Sequence, residues 1–136
     1  MPPYTDHMGL VITTESAGAA ACYAEGVQLL IRSSPAAVVL LRAALAADAS
    51  LGVALAGLAL SSCGPTGPDE DVLGALERSL AGSSSATRRE RQHMEIIAIA
   101  VGGDLERARA LGCDHLREFP DDVLVAHLVA RPSNPG

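Results

Sequence analysis

The stretch "ATRRERQHMEIIAIAVGGDLERARALGCDHLREFP", residues 86–120, decides the fold class. Thr87-x-x-Glu90 has the form of a capping box, in which a hydroxyl and a carboxylate each satisfy a free backbone N–H at a helix start. Gly102-Gly103 ends that helix, Asp104 caps the next, and Pro120 stops it. The segment therefore reads as a helical hairpin. Residues equidistant from the glycine pair should face one another, which sets Glu90 against Arg117, His93 against Asp114 or His115, and Ile97 against Ala110 or Leu111. On the second helix Leu105, Ala108, Gly112, His115 and Phe119 share one stripe at spacings of three and four, so His115 should point inward, within reach of His93.

The same punctuation recurs along the chain. Thr14 can cap a first helix running to about Arg32, and Ser34-Pro35 can start a second over "AAVVLLRAALAAD". Ser50 can cap "LGVALAGLALSS", which ends at Cys63-Gly64; "GPTGPDE" is a loop, and a fourth helix runs from about Asp69 to Leu80. "AGSSS" is the next loop, and Asp121 or Asp122 starts a short seventh helix after Pro120. No stretch reads as a strand. Six helices with short turns give three antiparallel hairpins, starting near residues 14, 50 and 87, at a period of about 36 that suits a helical solenoid. The expected organisation is an extended lead-in over 1–13, one helical domain over 14–130 and a flexible tail over 131–136. The fold class is all-α: three stacked hairpins plus a short seventh helix.

Composition agrees. Hydrophobic residues make up 49% of the 136 but aromatics only 2%, so the core must be built from Ala, Leu, Val and Ile, which favours closely approaching helices. All ten basic residues are Arg, the mark of a high-GC genome. The net charge of −6 argues against nucleic acid as a partner. Three cysteines without metal-type spacing fit a reducing cytosol, the opening "MPPYTDHMGL" lacks a signal-peptide layout, and Arg42 and Asp48 interrupt the longest apolar region. The expectation is a cytoplasmic protein that does not engage a membrane, its cysteines serving as small packing residues.

In "GDLERARALGCDHLREFP", Gly103, Ala108 and Pro120 stand at the separations a tetratricopeptide repeat uses for its turn glycine, packing alanine and closing proline, and Ala37 and Ala44 repeat the small positions. With "DHMGLVITTESAGAAACYAEGVQLL", "LLRAALAADASLGVALAGLAL" and "ATRRERQHME", these stretches make most of residues 6–128 resemble the tetratricopeptide-repeat superfamily, in particular the N-terminal part of bacterial tetratricopeptide repeat protein 38-like proteins. The aromatic packing positions hold Leu, Ala or Ile here, and His115 stands where Ala is usual. The resemblance implies a curved slab whose first helices line a concave, protein-binding face.

Three groups of residues bear on function. Glu90, His93 and His115 are the candidates for a metal or acid–base site, because Glu90-x-x-His93 puts two potential ligands on one helical face. Di-iron bundles need a second such pair and more carboxylates, which this sequence lacks, so the favoured reading is a buried polar clasp with no metal and no cofactor. Arg88, Arg89 and Arg91 crowd the first turn of the fifth helix against its dipole, at about 0.3–1 kcal/mol each when exposed. Their offsetting partner is either internal (Glu90, Glu95 or the run Asp69-Glu70-Asp71) or an external acidic protein surface. Tyr23, Gln28 and Arg32 on the first helix are further candidates for a partner-binding face. The leading expectation is a non-catalytic protein-binding module, an adaptor or the small subunit of a heteromeric complex, meeting a partner with an acidic patch. The alternative is an accessory subunit that helps form the active site of a larger biosynthetic enzyme. A stand-alone enzyme using Glu90, His93 and His115 comes third.

Overall fold

The computed structural model describes residues 4–82 and 86–131. The first three residues of the lead-in, most of the loop expected over 81–85 and all but the first residue of the expected tail lie outside them. The fold is all-α: the described residues form seven helices and one two-stranded sheet. None of these helices is long and apolar enough to cross a membrane.

The sheet corrects the expectation of no strand. β1 (Tyr4–Thr5) pairs antiparallel with β2 (Val11–Ile12), with Tyr4 opposite Ile12 and Thr5 opposite Val11. Two-residue strands are too short to show alternation, so only the turn could have revealed them. That turn is built on Asp6, whose carboxylate accepts from the backbone N–H groups of Met8 and Leu10, and on Gly9 at φ 83°. Residues 4–12 of the lead-in thus form a folded hairpin.

The helices are α1 (Ala17–Ile31), α2 (Ala36–Ala47), α3 (Gly52–Ser61), α4 (Glu70–Ala81), α5 (Arg88–Val101), α6 (Leu105–Glu118) and α7 (Val123–Ala130). The expected caps hold for α5, where Thr87 and Glu90 complete the capping box, and for α6 (Asp104); Asp69, expected as about the first residue of α4, is its cap, and of Asp121 and Asp122 it is Asp122 that caps α7. Three starts differ. Ser16, not Thr14, caps α1, because the Thr14 hydroxyl instead donates to Asp48 at 2.6 Å. Pro35 occupies the N-cap of α2, while the Ser34 hydroxyl accepts from the Ala36 N–H. Ser50 does not cap α3; its hydroxyl and N–H both donate to Asp48, leaving Leu51 at the cap position. Asp48 collects these bonds at the end of α2. Burial alone would raise its carboxyl, but the hydrogen bonds from Thr14 and Ser50 outweigh that and hold it below the usual carboxylate range.

Consecutive helices pack as α1 on α2, α3 on α4 and α5 on α6, with α3 also against α1, α2 and α5. α3 is apolar all round and almost wholly buried, with Val53, Ala54, Ala56, Leu58, Ala59 and Leu60 in the core. Small residues set the helix spacing. A Cβ added at Gly26 of α1 would lie 3.0 Å from Leu41 of α2, and one at Gly57 of α3 would lie 3.2 Å from it, so Leu41 is seated between two glycines. Ala37, Ala44 and Ala108 are fully buried packing residues, as their spacing suggested. Of the cysteines, Cys22 is half-buried and packs against the core as expected, but Cys63 and Cys113 are exposed, because Cys63 lies beyond the end of α3 and Cys113 on the outer side of α6.

α7 packs on α6 and α5 and also reaches α1. It comes close enough to α6 that a Cβ at Gly112 would fall 2.6 Å from a Val129 methyl and 3.3 Å from Val125. Gly112→Ala should therefore destabilise the fold by about 1–3 kcal/mol in urea unfolding, through overpacking that outweighs the gain in helix propensity. Gly74→Ala in α4 meets only the flexible end of Arg78 at 3.3 Å and should stabilise by up to about 1 kcal/mol. Equal signs for the two substitutions would contradict this placement of α7.

Candidate functional site

The first turn of α5 carries Arg89 and Glu90 inward, one turn before His93, and all three are buried. Glu90 does not turn toward His93. Its carboxylate accepts from the Thr87 N–H at 2.9 Å, closing the capping box, and from the Thr13 N–H at 2.9 Å and the Thr13 hydroxyl at 2.5 Å. It therefore fixes the chain just after β2 to the start of α5. Arg89 does the same one residue earlier, donating from Nη2 to the Val11 carbonyl at 2.7 Å.

The centre of the site is Asp122. It caps α7, its Oδ1 accepting from the Val125 N–H, and it is 2% exposed. His93 donates from Nδ1, 3.0 Å from both carboxylate oxygens, and His115 donates from Nε2 to Oδ2 at 2.8 Å. The Arg89 Nη1 lies 3.4 Å from the same oxygen. One carboxylate thus joins α5, α6 and α7. Burial alone would raise the Asp122 carboxyl, but electrostatic attraction to His93, the hydrogen bonds of His115 and His93 and the charge of Arg89 outweigh it and hold it well below the usual carboxylate range. Tyr23 of α1 is buried against this cluster. Burial above all raises its phenol; Arg89 opposes the shift, and Asp122, Asp6 and Glu90 add to it.

The far sides of the two imidazoles differ. His115 Nδ1 sits 2.8 Å from the Gln92 side-chain Oε1, so either the ring carries a second N–H there or the amide turns its NH2 to a neutral ring. His93 Nε2 is buried and meets no hydrogen-bond partner among the described residues. A histidine oriented by a carboxylate at Nδ1, with Nε2 unengaged, has the arrangement of a general base. At 1% exposure, however, it faces packed protein rather than a space for substrate. Among the described residues, no three His, Cys, Asp or Glu side chains are grouped to hold a metal ion.

The structure therefore brings His93 and His115 together, as their positions about the Gly102-Gly103 turn suggested, but through Asp122 and without Glu90. The arginines separate. Arg89 is 6% exposed and its guanidinium is spent on Val11 and Asp122. Arg91 is half-buried and donates to the Leu80 carbonyl at the end of α4. Arg88 is exposed and ion-paired with Glu118, the last residue of α6. Their internal partners are thus neither Glu95 nor the run 69–71. Tyr23 is 2% exposed, which removes it from any binding face; Gln28 is half-buried and Arg32 exposed.

Sequence reasoning missed Thr13, Gln92 and the central role of Asp122. Two inward histidines on one hairpin need an acceptor. The first candidates beyond the Pro120 stop are Asp121 and Asp122, so the signal was present but had been assigned wholly to capping.

No protein-family model, no curated protein and no solved structure matches this chain.

Asp122→Asn keeps the helix cap but removes the charge facing Arg89 and the histidines, and should cost about 3–5 kcal/mol at pH 7, since it leaves a buried cation uncompensated. The pH dependence follows from the depressed carboxyl. Its stabilising contribution is complete above the ordinary Asp pKa of about 3.9 and is lost as pH falls below that, toward the folded-state value. Urea unfolding from pH 6 to 2 should show wild-type stability declining in the acid range more steeply than that of the Asn variant. Parallel profiles would remove Asp122 from the centre of the site.

Proposed function

We propose that the chain is a non-catalytic helical module that binds another protein, as an adaptor or as the small subunit of a heteromeric complex, across the outer groove between α5 and α6. The observation that supports it is a pair of concavities of about 330 and 390 Å³ on either side of the Arg88–Glu118 ion pair. Both have Arg88 and Glu118 in their walls; the smaller adds apolar surface from Ile96 and Leu111 between α5 and α6, and the larger adds Leu10 and Val11 of the β-hairpin and Phe119. A mixture of apolar floor and polar rim suits a protein segment. The groove takes over from the inner face expected of a repeat array, since Tyr23 and Arg89 are packed inside. Of the residues expected to meet a partner, Arg88 stands in the wall of both concavities and Arg89 in that of the larger, where it is already bonded to Val11 and Asp122.

A second reading has one feature in its favour. His115, backed by Asp122, forms part of the groove wall, as an accessory subunit completing a larger enzyme's active site would need. The nature of the partner distinguishes the two.

Mild affinity capture of the tagged chain from its native host, with a native mass of the eluted complex, tests the proposal. One stoichiometric protein partner is expected, and its chemistry selects adaptor or accessory subunit. A partnerless monomer would sink both readings.

A further inference from the structure

The Arg88–Glu118 pair is odd on elementary grounds. Arg88 is the first residue of α5, at the positive end of its dipole, and Glu118 is the last residue of α6, at the negative end. Each charge stands where its own helix disfavours it, and each lies partly in solvent, so the pair is held weakly. Glu118 and the carbonyl end of α6 together attract a cation, which Arg88 now supplies.

The groove around the pair has a definite sign. The smaller concavity is walled by the carboxylates of Glu95, Asp114 and Glu118 against the single guanidinium of Arg88, with Ile96, Leu111 and the His115 ring, itself bonded to the buried Asp122, also in the wall. Asp114 shares its charge with Arg117 at 3.7 Å, a surface contact screened by water. In the larger concavity Arg89 is already neutralised by Asp122. The chain as a whole carries −6. Within the proposed protein-binding function, on which this inference rests, the complement is a cationic segment.

We infer that the α5–α6 groove binds a basic, aliphatic segment of the partner protein, an arginine of which displaces Arg88 from Glu118 while neighbouring aliphatic side chains lie on Ile96 and Leu111. Arg88 is a placeholder for that arginine. Its displacement joins the two concavities, and a guanidinium from outside can grip Glu118 with two parallel N–H donors. This reverses the sequence-based expectation of an acidic partner, for a reason in the structure: of the three arginines that suggested it, two are committed inside and the third faces three carboxylates.

The placeholder role makes an unusual prediction, that removing a surface arginine strengthens binding. The probes are two end-capped hexapeptides, Leu-Arg-Ala-Leu-Arg-Leu and its counterpart with Glu in place of Arg, titrated into the isotope-labelled chain and followed by backbone amide shifts. The arginine peptide should move the amides of Glu95, Asp114 and Glu118, and Arg88→Ala should tighten its binding. Glu95→Gln with Glu118→Gln should weaken it by about tenfold, the loss expected for charge-assisted hydrogen bonds at a partly exposed site. All three substituted positions are exposed, so the variants should keep the wild-type spectrum elsewhere. Preferential binding of the glutamate peptide, or weaker binding of the arginine peptide by Arg88→Ala, would overturn the inference while leaving protein binding in place. A groove unmoved by either peptide would also overturn it, whereas the failure of protein binding itself reads out separately, as a partnerless monomer on capture.

Discussion

A single carboxylate holds the closing elements of this fold together. Asp122 begins α7, and on it converge a histidine and an arginine from α5 and a second histidine from α6. Taking a carboxylate out of water is costly, and the cost is offset only when charge and donors surround it closely. Here they do, and the depressed carboxyl is the mark of it. The arrangement also solves a problem of volume. With one Phe, two Tyr and no Trp, the chain has few side chains large enough to fill the junction of α1, α5 and α7. Arg89, His93, His115 and Tyr23 fill it instead, and long or planar polar groups can serve as core only when their polar atoms are paired.

Directional bonding gives this junction what an alanine-rich interface cannot. Close contacts such as Gly26 and Gly57 on Leu41 hold the first helices by shape alone. A carboxylate with several specific donors also fixes direction, so the register of α7 against α5 and α6 is set by Asp122. The β-hairpin is fixed in the same way, by Glu90 on Thr13 and Arg89 on Val11. Two adjacent residues in one helical turn thus anchor the N-terminal hairpin, and one of them also anchors the last helix. The consequence is that the most chemically capable side chains of this region, Arg89, Glu90, His93 and Asp122, are consumed in assembly.

How much of this could be read in advance depended on the range of the interaction. Capping boxes, turn glycines and stop prolines act within four residues, so the α5–α6 hairpin, its Thr87–Glu90 box and the Asp104 cap were legible. The inward direction of His115 was legible too, because helical periodicity fixes it. What was not legible spans long separations. Glu90 meets Thr13 across 77 residues and Arg89 meets Val11 across 78, and no local pattern announces such a pairing. The cap at Thr14 was misplaced for the same reason, whereas Ser50 turned back to Asp48 only two residues away. Asp48, distant in sequence from Thr14, competes for its hydroxyl, and the local preference loses.

The arginine run shows why proximity in sequence misleads about charge. Along an α-helix successive residues turn by about 100°, so Arg88 and Arg89 must face different surroundings, while Arg91 returns toward the side of Arg88 one turn on. Arg89 therefore enters the junction, Arg91 reaches back to the end of α4, and Arg88 crosses to the end of α6. What reads as one basic patch is three unrelated contacts, two of them structural. The surface that remains around Arg88 takes its sign from its neighbours on both helices, and those neighbours are acidic. An electrostatic argument about a partner has to be made on the folded surface, where a local excess of one residue type can sit inside a field of the opposite sign.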